Sequence, residues 1–228
     1  MNDPVTAGQE QGTSLSAPTA EKKTERTKRK FFSASNIAKI GVFAALSTVL
    51  YYFPKFPIVA LFPSFLELNF SDIPALIGTF SLGPAAGAVI VLVKCLLKLP
   101  ATSTMCVGEL SDLVCGLAFV IPAGLIYRKH RTFRGALAGL GIGTLSSVIF
   151  SMLSNRFVIV PAYVSLMGIP MEGIVAMLTP LFPSCTAENF YSYYIPFSVL
   201  PFNLLRCLIA SAVTLLLYKR ISRLLNKF

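Results

Sequence analysis

The chain has 228 residues, 54% of them hydrophobic and 13% charged, with a net charge of +10. That balance excludes an ordinary soluble domain and describes one membrane domain. The positive charge gathers in Lys22 to Lys30, Arg128 to Arg134 and Lys219 to Lys227, a topology signal that points to anionic headgroups rather than nucleic acid.

Residues 1–33 are rich in Thr, Ser, Glu and Lys and lack apolar periodicity. They read as a disordered basic cytoplasmic tail, with no signal peptide. A first span runs from about Asn36 to Phe53. Ala34, Ala38, Gly41 and Ala45 recur at helical spacing and share one face, where small side chains let a second helix approach closely. That face serves either internal packing or docking to a separate membrane subunit. Residues 54–71 form an outer loop with Pro54, Pro57 and Pro63 among Phe56, Phe62, Phe65 and Phe70. Such aromatics act as interface belt residues or as a lid. Asp72, before Ile73-Pro74, reads as a helix N-cap.

The stretch from Leu66 to Lys98 decides the topology. Ile73 to Val93 is long enough to cross ~30 Å of hydrocarbon as one span. Broken at Gly83-Pro84, it becomes two spans, one to Leu82 and one from Ala85 to Leu99. A single span would put Arg128-Lys129-His130-Arg131 outside, whereas two spans put all three basic clusters inside, and the two-span reading is adopted. Its first half is too short to cross alone, which is tolerated where a segment lines a cavity. Lys98 reads as a snorkelling residue. Lys94, about a turn deeper, faces a polar cavity.

The next outer connection, ATSTMCVGELSDLVCG, gathers Thr102, Ser103, Thr104, Gly108, Glu109 and Asp112. Glu109 either sits in a first turn favoured by the helix dipole or binds ligand hydroxyls. Span four runs to Tyr127 and span five starts near Phe133. The run GALAGLGIGTLSS superficially resembles a nucleotide fingerprint, but no strand precedes it, so its glycines mark close helix packing. Toward the outer end lie Asn155 and Arg156; an amide there offers donors and an acceptor to a flat heterocycle or to a neighbouring helix. Residues 164–195 read as a long outer loop. Span six runs from about Ile195 to Tyr218 and carries PFNLLR, in which Asn203 and Arg206 share a face. Burying that pair is costly, and by default it marks a site.

The expected fold is an all-α integral membrane protein with six transmembrane helices and both termini cytoplasmic. The substrate-binding membrane domain covers 34–222 and a basic tail covers 223–228. Lys94, Glu109, Asn155, Asn203 and Arg206 fall toward the outer half, around a cavity opening outward. The sequence holds no GxxxxGK(S/T) phosphate loop, and its sole histidine, His130, lies in a basic loop. ATP hydrolysis and histidine-based hydrolysis are therefore excluded. Cys95, Cys106, Cys115, Cys185 and Cys207 have no metal-like spacing, so neither a metal nor a disulfide framework is expected.

LELNFSDIPALIGTFSLGPAAG, then TSTMCVGEL, then PFNLLR, resemble the substrate-binding S components of energy-coupling factor (ECF) vitamin transporters, over roughly Asn36 to Tyr218. GEL together with PFNLLR resembles the riboflavin-specific branch in particular. The resemblance implies a high-affinity riboflavin-binding subunit in a bacterial plasma membrane. It further implies a separate coupling subunit and two cytoplasmic ATPases as partners, riboflavin as cargo rather than cofactor, and no catalysis. It implies substrate contacts at Asn69, Lys94, Gly108, Glu109, Asn155, Asn203 and Arg206, the two span-end asparagines reading the isoalloxazine edge. Arg206 stands where the family often has lysine, and Asp112 where asparagine is expected. The coupling surface would be Ala34, Ala38, Gly41 and Ala45, glycine replacing one alanine. An S component for another vitamin or flavin analogue stays open as a reading. So does a small intramembrane enzyme using Glu109 and Asp112 as an acid pair.

Overall fold

The computed structural model describes residues 33–53, 56–57, 62–63, 66–102 and 104–225, with backbone only at 56–57 and 218–225. The basic tail expected over 1–33 and the residues 226–228 therefore lie outside the described chain, apart from Ser33. So do Pro54 and Phe65 of the first loop. All the packing described below lies within the described residues from Ala38 onward.

Helix α1 spans Ala34–Tyr52. Its buried stripe is Ala44, Ser47 and Tyr51, at intervals of three and four, while Ala34, Ala38, Gly41 and Ala45 are exposed. The first loop contributes a two-residue antiparallel pairing, β1 (Phe56–Pro57) with β2 (Glu67–Leu68), in the register Phe56 to Leu68. Phe62 packs edge-on against Phe202 at 5.3 Å between ring centroids, which ties this loop to the last helix.

Helices α2 (Asp72–Leu82) and α3 (Pro84–Lys98) are separated by one residue, Gly83. Its φ of 104° is a conformation that glycine adopts without strain, and Pro84 starts the next helix with a ring already set to helical φ. The chain folds back there. A Cβ on Gly87 would run into Thr79, and one on Gly78 into Ile90, so the two helices touch along their length. Helix α2 is buried on every side from Asp72 to Thr79. Eleven residues at about 1.5 Å each fall well short of a bilayer core, and α2 instead packs among α3, α4 and α9.

A short 3₁₀ turn, Leu99–Ala101, leads to α4, Val107–Lys129. Helix α5 (Phe133–Ser154) is capped by Thr132, whose hydroxyl accepts from the Gly135 N–H at 3.1 Å. It lies tightly against α4. A Cβ on Gly139 would stand 2.7 Å from the Ala123 carbonyl oxygen, and one on Gly143 2.7 Å from that of Phe119. The glycine-rich run is thus a helix contact surface, and the element directly before it is helix α4 rather than a strand.

Helix α5 does not end at Asn155. It passes through a π turn, Asn155–Ile159, into α6, Val160–Met167. Helix α7 (Met171–Leu178) follows, then α8 (Phe190–Tyr194), a second π turn (Ile195–Val199) and α9 (Leu200–Leu225). Each π turn ends two residues ahead of a proline, Pro161 or Pro201. Proline supplies no N–H and its ring crowds the carbonyl four residues back, so the preceding turn widens and closes with a bond five residues long. The Val160 N–H reaches the Asn155 carbonyl, and that of Leu200 the Ile195 carbonyl.

The stretch 164–195, expected as a loop, holds α7, α8 and a core of its own, with Leu178, Phe190 and Tyr194 fully buried. Among the described residues, five helices are long and apolar enough to cross a membrane, and Asp72–Leu82 is a shorter apolar one. Exposed Val42, Leu92, Leu145 and Phe150 belong to these helices, an apolar exterior suited to lipid rather than water. The protein is an all-helical membrane protein apart from the two-residue strand pair.

Gly143→Val is expected to lower stability by about 1–3 kcal/mol, because its side chain has a backbone carbonyl in its way. Gly141→Ala, which meets nothing within 4 Å, is expected to be neutral or to stabilise by up to ~1 kcal/mol. Thermal unfolding of both variants in detergent checks the contrast.

Candidate functional site

Four charges from four helices meet at one end of the bundle. Asp72 opens α2, Lys94 lies in α3, Asp112 in the second turn of α4 and Arg206 in α9. The Lys94 ammonium is 2.7 Å from Asp72 Oδ1 and 2.9 Å from Asp112 Oδ2. The Arg206 guanidinium donates to Asp72 Oδ2 through Nε at 2.9 Å and Nη2 at 2.6 Å, and Nη2 also pairs with Asp112 Oδ1. The result is a closed square of alternating sign. Lys94 to Asp112 is a Coulombic contact rather than an aligned hydrogen bond, since Asp112 Oδ2 has no hydrogen-bonding donor. Lys94 is wholly buried. A lone ammonium or carboxylate at such a place would be very costly, but two cations facing two anions cancel.

Asp72 is thus not the side-chain cap expected of it. Ser71 occupies the N-cap position and makes no side-chain cap bond. Its hydroxyl instead accepts from Lys94 Nζ at 2.6 Å and donates to Asn69 Oδ1 at 2.6 Å. The square is therefore wired to Asn69 in the first loop.

Above the square lies a cavity of about 200 Å³. Tyr51 of α1 and Leu66, Glu67 and Asn69 of the first loop form one wall. Lys98, Thr104, Gly108 and Glu109 form a second, and Asn155, Ile159 and Tyr163, on the first π turn and α6, a third. Phe202 and Arg206 come from α9, and Asp112 and Arg206 belong to the cavity and the square at once. Loop one, the α3–α4 connection, the α5 π turn and α9 thus all converge at this end.

Several of these polar side chains are held. Asn155 donates through Nδ2 to the Ser151 carbonyl at 2.9 Å and accepts from the Tyr194 hydroxyl at 2.7 Å. One N–H and one lone pair of the amide remain for a ligand. Glu109, 6% exposed, accepts from Thr102 Oγ1 at 2.8 Å and, more loosely, from Thr104 Oγ1 at 3.4 Å. Lys98 lies over the Tyr52 ring at 4.0 Å, a cation–π contact that fixes its ammonium.

Of the residues expected at the site, Asn69, Gly108, Glu109, Asn155 and Arg206 line this cavity together. Lys94 lies behind it, in the square, and Asn203 is buried on α9 with Nδ2 donating to the Val199 carbonyl at 2.9 Å; neither is among the lining residues. Asp112 is engaged by Lys94 and Arg206 rather than paired with Glu109 as a second acid. Tyr51, Lys98, Tyr163 and Phe202 join the cavity without having been picked out as ligand-facing residues. Tyr51 and Phe202 carry no sequence signal that sets them apart, and only three-dimensional proximity distinguishes them. All five cysteines are free, and no cluster of three or more metal-ligating side chains occurs among the described residues.

Residues 35–218 match the family model for the ECF transporter substrate-specific component. The chain is 31% identical over 202 residues to the riboflavin transporter RibU of Staphylococcus aureus, covering 89% of this chain and 98% of that one. It is 25% identical over 187 residues to the riboflavin transporter FmnP of Bacillus subtilis, covering 80% of this chain and 90% of that protein. A solved S component of a bacterial ECF transporter superposes with a TM-score of 0.63 at 30% identity, over 83% of this chain and 96% of that structure.

Breaking the square is expected to destabilise. Lys94→Met and Asp112→Asn should each cost about 3–5 kcal/mol, since each leaves an unbalanced buried charge. The double variant removes one charge of each sign and leaves Asp72 with Arg206, so it should recover part of the loss. Thermal unfolding of the two single variants and the double checks this; strictly additive losses would show that the four charges do not act as a unit.

Proposed function

The chain belongs to the substrate-specific components of ECF transporters, and on that premise we propose that it is the riboflavin-binding subunit of a vitamin importer. The observation that carries the proposal is the meeting of Asn69, Glu109, Asn155 and Arg206 around one cavity, in a chain that aligns with nearly the whole of a riboflavin transporter.

The chemistry of the cavity suits the ligand. An isoalloxazine has an apolar body and an edge alternating donors and acceptors. Phe202, Tyr51 and Ile159 supply apolar contact surface. The open positions of the Asn155 amide can pair with the edge, and Asn69, Thr104 and Glu109 offer partners for ribityl hydroxyls. Lys94 and Asn203 act from behind the cavity, Lys94 by holding Asp112 and Asn203 by bracing the second π turn. Arg206 reaches the ligand only with the guanidinium atoms that Asp72 and Asp112 leave available.

The six-span topology completes the proposal. Helices α2 and α3 are two membrane segments, α2 the short one. Both termini and the Arg128 to Arg134 cluster then face the cytoplasm, and the cavity faces outward in the cell membrane. ATP is used by partner subunits, two cytoplasmic ATPases joined through a membrane coupling subunit. The exposed faces of Ala34, Ala38, Gly41 and Ala45 are the docking stripe for that coupling subunit, because small residues permit close helix approach.

Protein purified in detergent from riboflavin-supplied cells is expected to carry flavin absorbance, with riboflavin recovered from the denatured extract. A colourless protein that also fails to bind added riboflavin would overturn the assignment, and a competition panel would then ask which vitamin or flavin analogue it takes. Asn155→Ala should weaken riboflavin binding about tenfold or more, the loss of one or two buried hydrogen bonds. Gly41→Leu, by contrast, should leave flavin binding intact and abolish uptake in cells that supply the partner subunits.

A further inference from the structure

A second hollow, of about 280 Å³, opens on the apolar exterior of the bundle. It runs between α3, α4 and α6, lined by Leu92, Leu96, Leu110, Leu113, Ala162 and Leu166. Leu99 and Met105 add the connection between α3 and α4 to the lining. Glu109 is the one charged residue in that lining, and its Oε2 is engaged by the Thr102 and Thr104 hydroxyls. Leu92, Leu96, Met105, Leu110 and Leu166 are all exposed. The rim is therefore continuous with the exterior suited to lipid.

Size and chemistry select the occupant. An apolar cavity of ~150 Å³ stays dry and takes up benzene, so water does not fill this one. Left unfilled, its walls would forfeit their dispersion contacts. A helix of a partner protein is too thick for it, because a single turn about 10 Å across and 5.4 Å long fills roughly 400 Å³. A hydrocarbon chain is thin and flexible enough. On α3 the lining extends from Leu92 to Leu99, about 10 Å of helix at 1.5 Å per residue, a length that part of one extended acyl chain covers. Among the described lining residues none is cationic, so recognition falls to the chain rather than to a phosphate headgroup.

We propose that this groove binds one acyl chain of a phospholipid. On the topology proposed above, the lipid belongs to the outer leaflet. The first two turns of α4 separate the groove from the cavity, and Glu109 lines both. The chain thus fills the space behind that wall. A ligand that binds only the folded state stabilises it, so the lipid supports the outer end of the bundle.

The protein has no tryptophan, so an introduced one reports alone. Leu166→Trp places it at the groove. Leu145→Trp places it on α5, on a side chain as exposed but outside the groove. Both variants, stripped of lipid in detergent, are titrated with phosphatidylcholine whose acyl chain carries bromine, a contact quencher. Quenching at position 166 is expected to saturate near one lipid per protein, with about tenfold less lipid than position 145 needs. Parallel curves that follow the mole fraction of lipid in the micelle would overturn the proposal. Adding Ala162→Phe to Leu166→Trp fills the groove and should abolish the saturable phase; its persistence would count equally against the site. Should Leu166→Trp not fold, Leu96→Trp reads the groove from α3. Thermal unfolding needs no probe. Phosphatidylcholine should raise the melting temperature of the wild type by roughly 4 °C and leave that of Ala162→Phe nearly unchanged, and equal shifts refute the proposal.

Discussion

Four buried charges that can be satisfied only together set the terms for this fold. In a low-dielectric interior none of Asp72, Lys94, Asp112 and Arg206 tolerates isolation. Each comes from a different helix, and the short distances between them fix the ends of α2, α3, α4 and α9 relative to one another. The burial of α2 follows. A helix of eleven residues has no stable place in lipid by itself, yet Asp72 at its first position must reach both Lys94 and Arg206. The Gly83 turn and the Thr79–Gly87 contact bring α3 back along α2 until Lys94 stands opposite Asp72. Sequence, turn geometry and electrostatics thus agree on a single arrangement of the hairpin.

The square also determines what the cavity above it can offer. Arg206 and Asp112 face the cavity, but their charges are already answered. On the proposed function, the amides, hydroxyls and aromatic surface of the cavity, beside Glu67, Glu109 and Lys98, suit a neutral heterocyclic ligand. The amides owe their positions to backbone irregularities. Asn155 opens one π turn and Asn203 follows the other, each donating to a carbonyl four residues back. Tyr194, just before the second π turn, bonds to Asn155, which begins the first. Two prolines in two helices thereby create one local structure, a pattern often found where helices carry function.

Much of this was legible in the sequence. The Gly83-Pro84 break and the basic clusters required a helical hairpin rather than a straight span, and the hairpin is there. Asn155, Glu109 and Arg206 stood out as polar residues in apolar surroundings, and they reach one cavity. What stayed hidden was who pairs with whom. Two acids and two bases inside apolar segments could have prompted the idea of mutual neutralisation. Their sequence separation, from 18 residues between Lys94 and Asp112 to 134 between Asp72 and Arg206, leaves the pairing to tertiary structure. Lys94 and Asp72 therefore read as a cavity residue and a cap. The stretch 164–195 was read as a loop because its helices are short and broken by Pro, Gly and Ser-Cys turns. Eight-residue helices are not stable alone, and α7 persists because Ile174 and Leu178 bury themselves against α6 and α8.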